Sequence, residues 1–247
     1  MAELKALIFD VDGTIANTEE DGHRVAFNQA FAKAGYDWNW SVDFYGKLLK
    51  IGGGEERIYY YLNQYQSQLK SQTNLEELAA DLHQIKNQYY QERLEAGLIE
   101  LRRGVKRLMT AAREQGISLA IATTSALPNV ITLLEKKLDP DWFEVIGAGD
   151  MVPQKKPAPD VYQYVLNQLD LDPQHCIVFE DSNIGLTAAS KLNLTTIVTV
   201  NDYTKDLDFS AATAVINHLG EPKNPMTVIS GNLTGEYVTI ESLKQLL

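Results

Sequence analysis

Cys176 is the only cysteine in this chain of 247 residues, so no internal disulfide framework can form. That fits a reducing compartment, and a cytoplasmic location is expected. Cys176 stands in an apolar run and reads as a buried structural thiol rather than a nucleophile. No apolar run approaches the ~18 residues that would suggest a bilayer span, so no membrane association is expected. The opening Met1-Ala2-Glu3-Leu4-Lys5 shows neither the charged nor the apolar region of a secretory leader. Basic residues are also short: 22 Lys and Arg against 33 Asp and Glu give a net charge of −11. A nucleic-acid partner requires a basic footprint and is not expected. For the same reason, an anionic ligand must meet locally concentrated positive charge from a metal, a few Lys or Arg, or backbone N–H groups. Solenoid-type repeats and low-complexity tracts are missing too.

What is present is an ordinary globular composition, 45% hydrophobic and 22% charged. Short apolar or β-branched runs at residues 4–9, 117–122, 144–146, 176–179 and 195–200 have the character of buried parallel strands. Helical patterns at residues 103–114, 128–137, 159–169 and 183–192 lie between them. Alternation of this kind predicts a Rossmann-like, doubly wound parallel α/β sheet. Residues 17–100 read differently, as helix almost throughout. His23, Phe27, Ala30, Phe31 and Ala34 share one helical face, with Gly35 placed to end that helix. Ile58, Leu62, Tyr65 and Leu69 form a second stripe, and Leu75, Leu78, Leu82, Ile85 and Tyr89 a third behind a Thr73-Asn74-Leu75-Glu76 capping box. The expected division is therefore a core of residues 1–16 and 101–247 with an inserted helical cap, residues 17–100, whose two crossings form a hinge. In the tail, residues 227–229 and 237–240 are expected as edge strands and 241–247 as a last helix.

Four groups of polar residues sit where strands end, the place where open α/β sheets bind ligands. Asp10-Val11-Asp12-Gly13-Thr14 follows the first strand. Two acids there can hold a hard cation, or serve as nucleophile and acid/base; alone, they equally close a strand in an Asx turn. Glu180 and Asp181 follow the fourth strand, where buried adjacent acids call for a compensating cation, although Asp181 or Ser182 would also cap the next helix. Thr123-Thr124-Ser125 offers hydroxyls before a helix, suited to phosphate or simply to a hydroxyl turn. In Lys156-Pro157-Ala158-Pro159, Pro157 extends the backbone of Lys156 and Pro159 opens a helix, presenting a lysine that either balances clustered acids or is solvated.

The order Asp-x-Asp-Gly-Thr, Thr-Thr-Ser, Lys-Pro, Glu-Asp, each at a strand end, resembles the four-motif pattern of the haloacid dehalogenase superfamily. The resemblance spans residues 4 to about 200. Thr18-Glu19-Glu20, His23 to Asn28, Trp38-Asn39-Trp40, Gly53-Gly54 with Glu56-Arg57-Ile58, Leu127 to Val130, and Gly149 to Val152 look like the CbbY-type sugar-bisphosphate phosphatases within the beta-phosphoglucomutase group.

That resemblance implies a phosphatase in which Asp10 attacks phosphorus and Asp12 is the acid/base. It implies Mg2+ held by Asp10, the Asp12 carbonyl and Asp181, with Glu180 a further ligand or a group behind the ligands. Thr123, Thr124, Ser125 and Lys156 would hold the transferring phosphoryl group. In the cap, Glu19 would contact sugar hydroxyls, and Tyr45, Gly53, Gly54 and Arg57 the distal phosphate. The implied substrate is a phosphorylated sugar such as xylulose 1,5-bisphosphate, and a monomer is expected. Alternatives are a beta-phosphoglucomutase-type mutase, a phosphoglycolate-type phosphatase and, in another class, a non-catalytic binding protein on the same scaffold. The sequence departs from the pattern twice. His23 lies five residues after Thr18 rather than four, an extra residue at Asp21-Gly22 expected to shift the helix start, and Glu55 stands where a lysine is usual, a role for which Lys47 or Lys50 could substitute.

Overall fold

The computed structural model describes residues 3–71 and 73–247. Contacts divide it into two units: one runs to Asn17 and resumes over Glu100–Leu247, and the other is Thr18–Ile99.

The Thr18–Ile99 unit is helical. Asp21 and Gly22 lie in a π-helical turn, Thr18–Arg24, in which each N–H reaches one residue further back. This turn runs into α1 (Val25–Lys33), followed by α2 (Val42–Leu48), α3 (Gly54–Tyr65) and α4 (Leu75–Glu95). Phe27, Phe31, Trp40, Tyr45 and Tyr61 form its aromatic centre, with Phe27 and Trp40 centroids 4.8 Å apart. The α4 stripe differs from the expected one. Leu75, Ala79, Leu82, Lys86, Tyr90 and Leu94 are buried, and Leu78, Ile85 and Tyr89 are not. The expected set repeats every ~3.5 residues and drifts off one face of a long straight helix. Asn74, not Thr73, caps α4, accepting from Glu76 N at 3.1 Å. The buried face of α3 is Arg57, Ile58, Tyr61 and Leu62; the helix stops at Tyr65, which is exposed.

The other unit is a sheet. Its strands are β1 (Ala6–Phe9), β2 (Ser118–Ala122), β3 (Val145–Gly147), β4 (Cys176–Glu180), β5 (Thr195–Thr199), β6 (Ala214–Ile216) and β7 (Val228–Gly231). They lie in the order β3-β2-β1-β4-β5-β6-β7, all parallel except the antiparallel edge strand β7. Helices α5 (Val105–Glu114), α6 (Leu127–Lys137), α7 (Asp160–Leu169), α8 (Asn183–Ser190) and α9 (Ile240–Lys244) complete it. Ala6, Ile8, Ala120, Cys176 and Val178 pack on one face against Val161, Val165, Ala188 and Ala189 of α7 and α8. Phe9 and Phe179, on the alternate side, stack at 4.7 Å. Each such side chain contributes about 1.5–3 kcal/mol of burial, enough to fix the register.

The tail was only partly foreseen. β7 overlaps the expected strand at 227–229 at residues 228 and 229 and runs on to Gly231, and its partner β6 carries no recognised signal in the sequence. Residues 237–240 are not a strand: Thr239 accepts from Ser242 N at 3.0 Å and caps α9, which is shorter than expected.

The register positions the chemistry. Phe9 pairs with both Ile121 and Phe179, so β1, β2 and β4 end level with one another. Asp10 N donates to Phe179 O at 3.0 Å, which sets the first acid beside Glu180 and Asp181.

Candidate active site

Lys156 is the hub of these strand ends. Its ammonium donates to Asp10 Oδ1 at 2.7 Å, Glu180 Oε1 at 2.6 Å and Ala122 O at 2.8 Å. An ammonium has three protons, and here all three have acceptors, one from each of β1, β2 and β4 or the residue after it. Lys156 was expected on a phosphoryl oxygen; in this arrangement it takes one only by releasing one of these. Burial alone would lower its pKa, but Asp10 and Glu180 outweigh burial and raise it.

Asp10, Glu180 and Asp181 are all buried, and an oxygen from each lies within 4.8 Å of the others. Burial pushes the Asp10 carboxyl up to about 7 despite the attraction of Lys156. Burial, with Asp10 and Glu180, raises Asp181 well above the usual carboxylate range. The cluster thus holds more negative charge than Lys156 compensates. Its all-oxygen donors suit a hard divalent cation such as Mg2+.

The three acids are not equivalent. Glu180 Oε1 accepts from Lys156 and from Tyr162 Oη at 2.5 Å, and its Oε2 accepts from Asp181 N and Ser182 Oγ, both at 3.2 Å. With both oxygens engaged, Glu180 fits the place behind the ligands better than a ligand position. Asp181 Oδ2 accepts from Asn201 Nδ2 at 2.7 Å. Gly13 has φ +79°, and a Cβ there would overlap the Asp181 carboxylate. Only glycine meets both demands. Gly185 likewise leaves room for the Glu180 carboxylate.

The Asp12 carboxylate lies outside the three-acid cluster; its Oδ2 accepts a short hydrogen bond from Ser125 Oγ. That ties the β1 and β2 exits together. Thr123 is fully buried, and its Oγ1 accepts from Ser125 N at 3.1 Å. Asp150 Oδ1 accepts from Leu127 N at 3.3 Å and so occupies the start of α6.

The helical unit carries its own polar group. Tyr45 Oη donates to Glu19 Oε2 at 2.6 Å and accepts from Arg57 Nη1 at 3.1 Å. Arg57 also donates to Leu48 O and Ile51 O, both at 3.1 Å, shaping the turn that leads to Gly53, whose φ is +85°. His23 stacks on Tyr90 at 3.9 Å, and its Nδ1 lies 2.9 Å from Lys86 Nζ. Burial, then the charges of Lys86, Arg57 and His83, push the His23 pKa well below its usual value. Sequence reasoning missed Lys86, although a lysine on an apolar helical stripe is a readable signal. It also missed Tyr162, Asn201 and Arg102, which stand on an apolar helix face, at a strand end and in a loop.

A buried carboxylate cluster with a lysine thus stands at the strand ends of a mostly parallel, Rossmann-like sheet. Residues 7–199 match the family model of haloacid dehalogenase-like hydrolases, and the chain belongs to that family. It is a phosphatase of the CbbY-like group. It is 47% identical over 213 residues to the protein CbbY of Rhodobacter capsulatus, covering 85% of this chain and 91% of that one. Identity to the plasmid CbbY of Cupriavidus necator is 42% over 226 residues, 90% and 89% of the two chains. Among solved structures, a CbbY variant from Rhodobacter sphaeroides in complex with xylulose 1,5-bisphosphate superimposes with a TM-score of 0.71 at 38% identity, covering 87% of this chain and 94% of that one. No described helix is long and apolar enough to cross a membrane.

Proposed function

We propose that the protein hydrolyses a ketose 1,5-bisphosphate, xylulose 1,5-bisphosphate in the first place, by a Mg2+-dependent two-step displacement on Asp10. The observation that carries this reading is the Asp10, Glu180, Asp181 cluster locked by Lys156; the likeness to a CbbY that binds this sugar selects the substrate.

Asp10, the Asp12 carbonyl and Asp181 would hold Mg2+, which when bound supplies the positive charge that lets a carboxylate meet a phosphoryl group. Lys156 holds Asp10 Oδ1, leaving the other carboxylate oxygen to attack phosphorus. The bond from phosphorus to the sugar oxygen breaks, and Asp12 gives that oxygen a proton. Asp12 then takes a proton from water. The water oxygen attacks phosphorus, the bond to Asp10 breaks, and inorganic phosphate leaves. Thr123, Thr124 and Ser125 orient the transferring group. In the helical unit, Glu19 and Tyr45 recognise sugar hydroxyls. Arg57, the N–H groups near Gly53 and Gly54, and Lys86 with His23 would bind the distal phosphate, standing in for the lysine that Glu55 replaces.

The test is phosphate release from a panel of sugar mono- and bisphosphates with and without Mg2+. Release of one phosphate per xylulose 1,5-bisphosphate, lost on chelation, is expected. Conversion of beta-glucose 1-phosphate with no net phosphate release would overturn the reading in favour of a mutase, and preference for phosphoglycolate would overturn the substrate.

A further inference from the structure

We propose that Arg102 is a positioning residue for the divalent ion, holding the Asp12 carbonyl and the Asp181 carboxylate at the spacing that one ion requires. This rests on the metal reading of the acid cluster given above.

Arg102 is buried, yet none of the acceptors of its guanidinium is a carboxylate. Nη1 donates to Gly13 O at 2.5 Å and to Thr199 O and Thr199 Oγ1, both at 2.8 Å. Nη2 donates to Val200 O at 2.6 Å and Asn217 O at 2.9 Å. Asp181 and Asp202 act on its charge from a distance, but the hydrogen bonds of the guanidinium go to neutral oxygens. What a planar fork gives is direction. The five acceptors lie on the exit of β1, the last residue of β5 and the residue after it, and the residue after β6. Arg102 is itself fixed to the β1 exit, since its backbone N donates to Ile15 O at 2.8 Å.

Gly13, Val200 and Thr199 each lead toward the acid cluster; Asn217 O only anchors the fork. Gly13 follows Asp12, whose carbonyl is the expected backbone ligand. The Val200 carbonyl belongs to the peptide that leads into Asn201, and Asn201 Nδ2 holds Asp181 at 2.7 Å. Thr199 Oγ1 reaches Glu180 O at 3.4 Å, extending the same restraint to the end of β4. One guanidinium therefore fixes both arms of the ion site. Lysine can keep the charge but cannot span the acceptors.

The test uses the full chain and Mn2+ as the probe, read by electron paramagnetic resonance, with melting temperature alongside. Arg102→Lys should weaken Mn2+ binding about 10- to 100-fold, the usual loss when a group orienting metal ligands is removed. Asn201→Ala should weaken it comparably, and the double variant by less than the product, because both act on the Asp181 arm. Val165→Ala, in the core between α7 and the sheet, should lower the melting temperature and leave Mn2+ affinity unchanged. Wild-type affinity in Arg102→Lys, or losses that multiply in the double variant, would overturn the proposal. If Arg102→Lys does not fold, Thr199→Val takes its place, and unchanged Mn2+ affinity there overturns the proposal equally. A wild-type protein that takes up no Mn2+ sinks the metal reading itself, whereas wild-type binding matched by Arg102→Lys sinks only the role of Arg102.

Discussion

The two units bury opposite charge. Among the described residues, the sheet unit buries the carboxylates Asp10, Glu180 and Asp181 with Lys156 and Arg102, while the buried charged side chains of the helical unit are Arg57 and Lys86, both cations. One cluster is short of positive charge and the other is rich in it. Buried charge is costly unless matched: the three acids suit a divalent cation, whereas Arg57 is joined through the Tyr45 hydroxyl to the Glu19 carboxylate. A chain with net charge −11 thereby concentrates its few useful cations inside.

The sharpest way to break the comparison is to remove the nucleophile. Asp10→Asn is nearly isosteric and can still accept from Lys156. Its phosphatase activity should fall by at least about 10⁴-fold, as expected when a covalent catalyst is lost, with circular dichroism unchanged. Activity within tenfold of wild type would move the chemistry off the acid cluster and leave the contrast between the units without a functional meaning.

The same contrast explains what the sequence could and could not show. The acid cluster was legible because its residues stand at strand ends, in short motifs whose order along the chain is itself informative. Asp10, Glu180, Asp181 and Lys156 need only the parallel register to meet. The partners that orient them were not legible. Tyr162 looks like one more member of the apolar α7 face, and Arg102 and Asn201 act through backbone carbonyls and one amide, which leave no spacing pattern. In the helical unit, the expected stripe of ~3.5-residue repeat leaves the true face of α4, and with it Lys86, out of view. The tail failed for a different reason. Three-residue β6 is too short to carry a periodic signal, and the β-branched run at 237–240 turned out to hold a helix cap.

Removing the helical unit's positive charge should cost less, and cost it differently. Lys86→Gln keeps a hydrogen-bonding end but no charge. The KM for xylulose 1,5-bisphosphate should rise about 10- to 100-fold, the worth of one hydrogen bond to a charged group, with kcat within about 3-fold. Sugar monophosphates without the distal group should be nearly unaffected. A loss confined to kcat would place Lys86 with the chemistry instead, and the two clusters would no longer divide the work.

The smallest effect concerns His23, and its sign is fixed by the direction of its shift. Burial, then Lys86, Arg57 and His83, hold its pKa well below the usual value, so the folded protein binds this proton less readily than the unfolded chain does. Its contribution to stability is therefore complete above pH ~6.5 and is lost as the pH falls below that value, at no more than about 1.4 kcal/mol per pH unit. His23→Gln removes the titration but can still accept a hydrogen bond from Lys86. Its urea midpoint should resemble that of wild type at pH 7.5 and fall less steeply between pH 6.5 and 5. The acid sensitivity that remains belongs partly to His83, whose pKa is lowered by burial and by Lys86. Parallel pH profiles for wild type and His23→Gln would show that His23 takes up its proton as readily in the folded protein as in the unfolded chain.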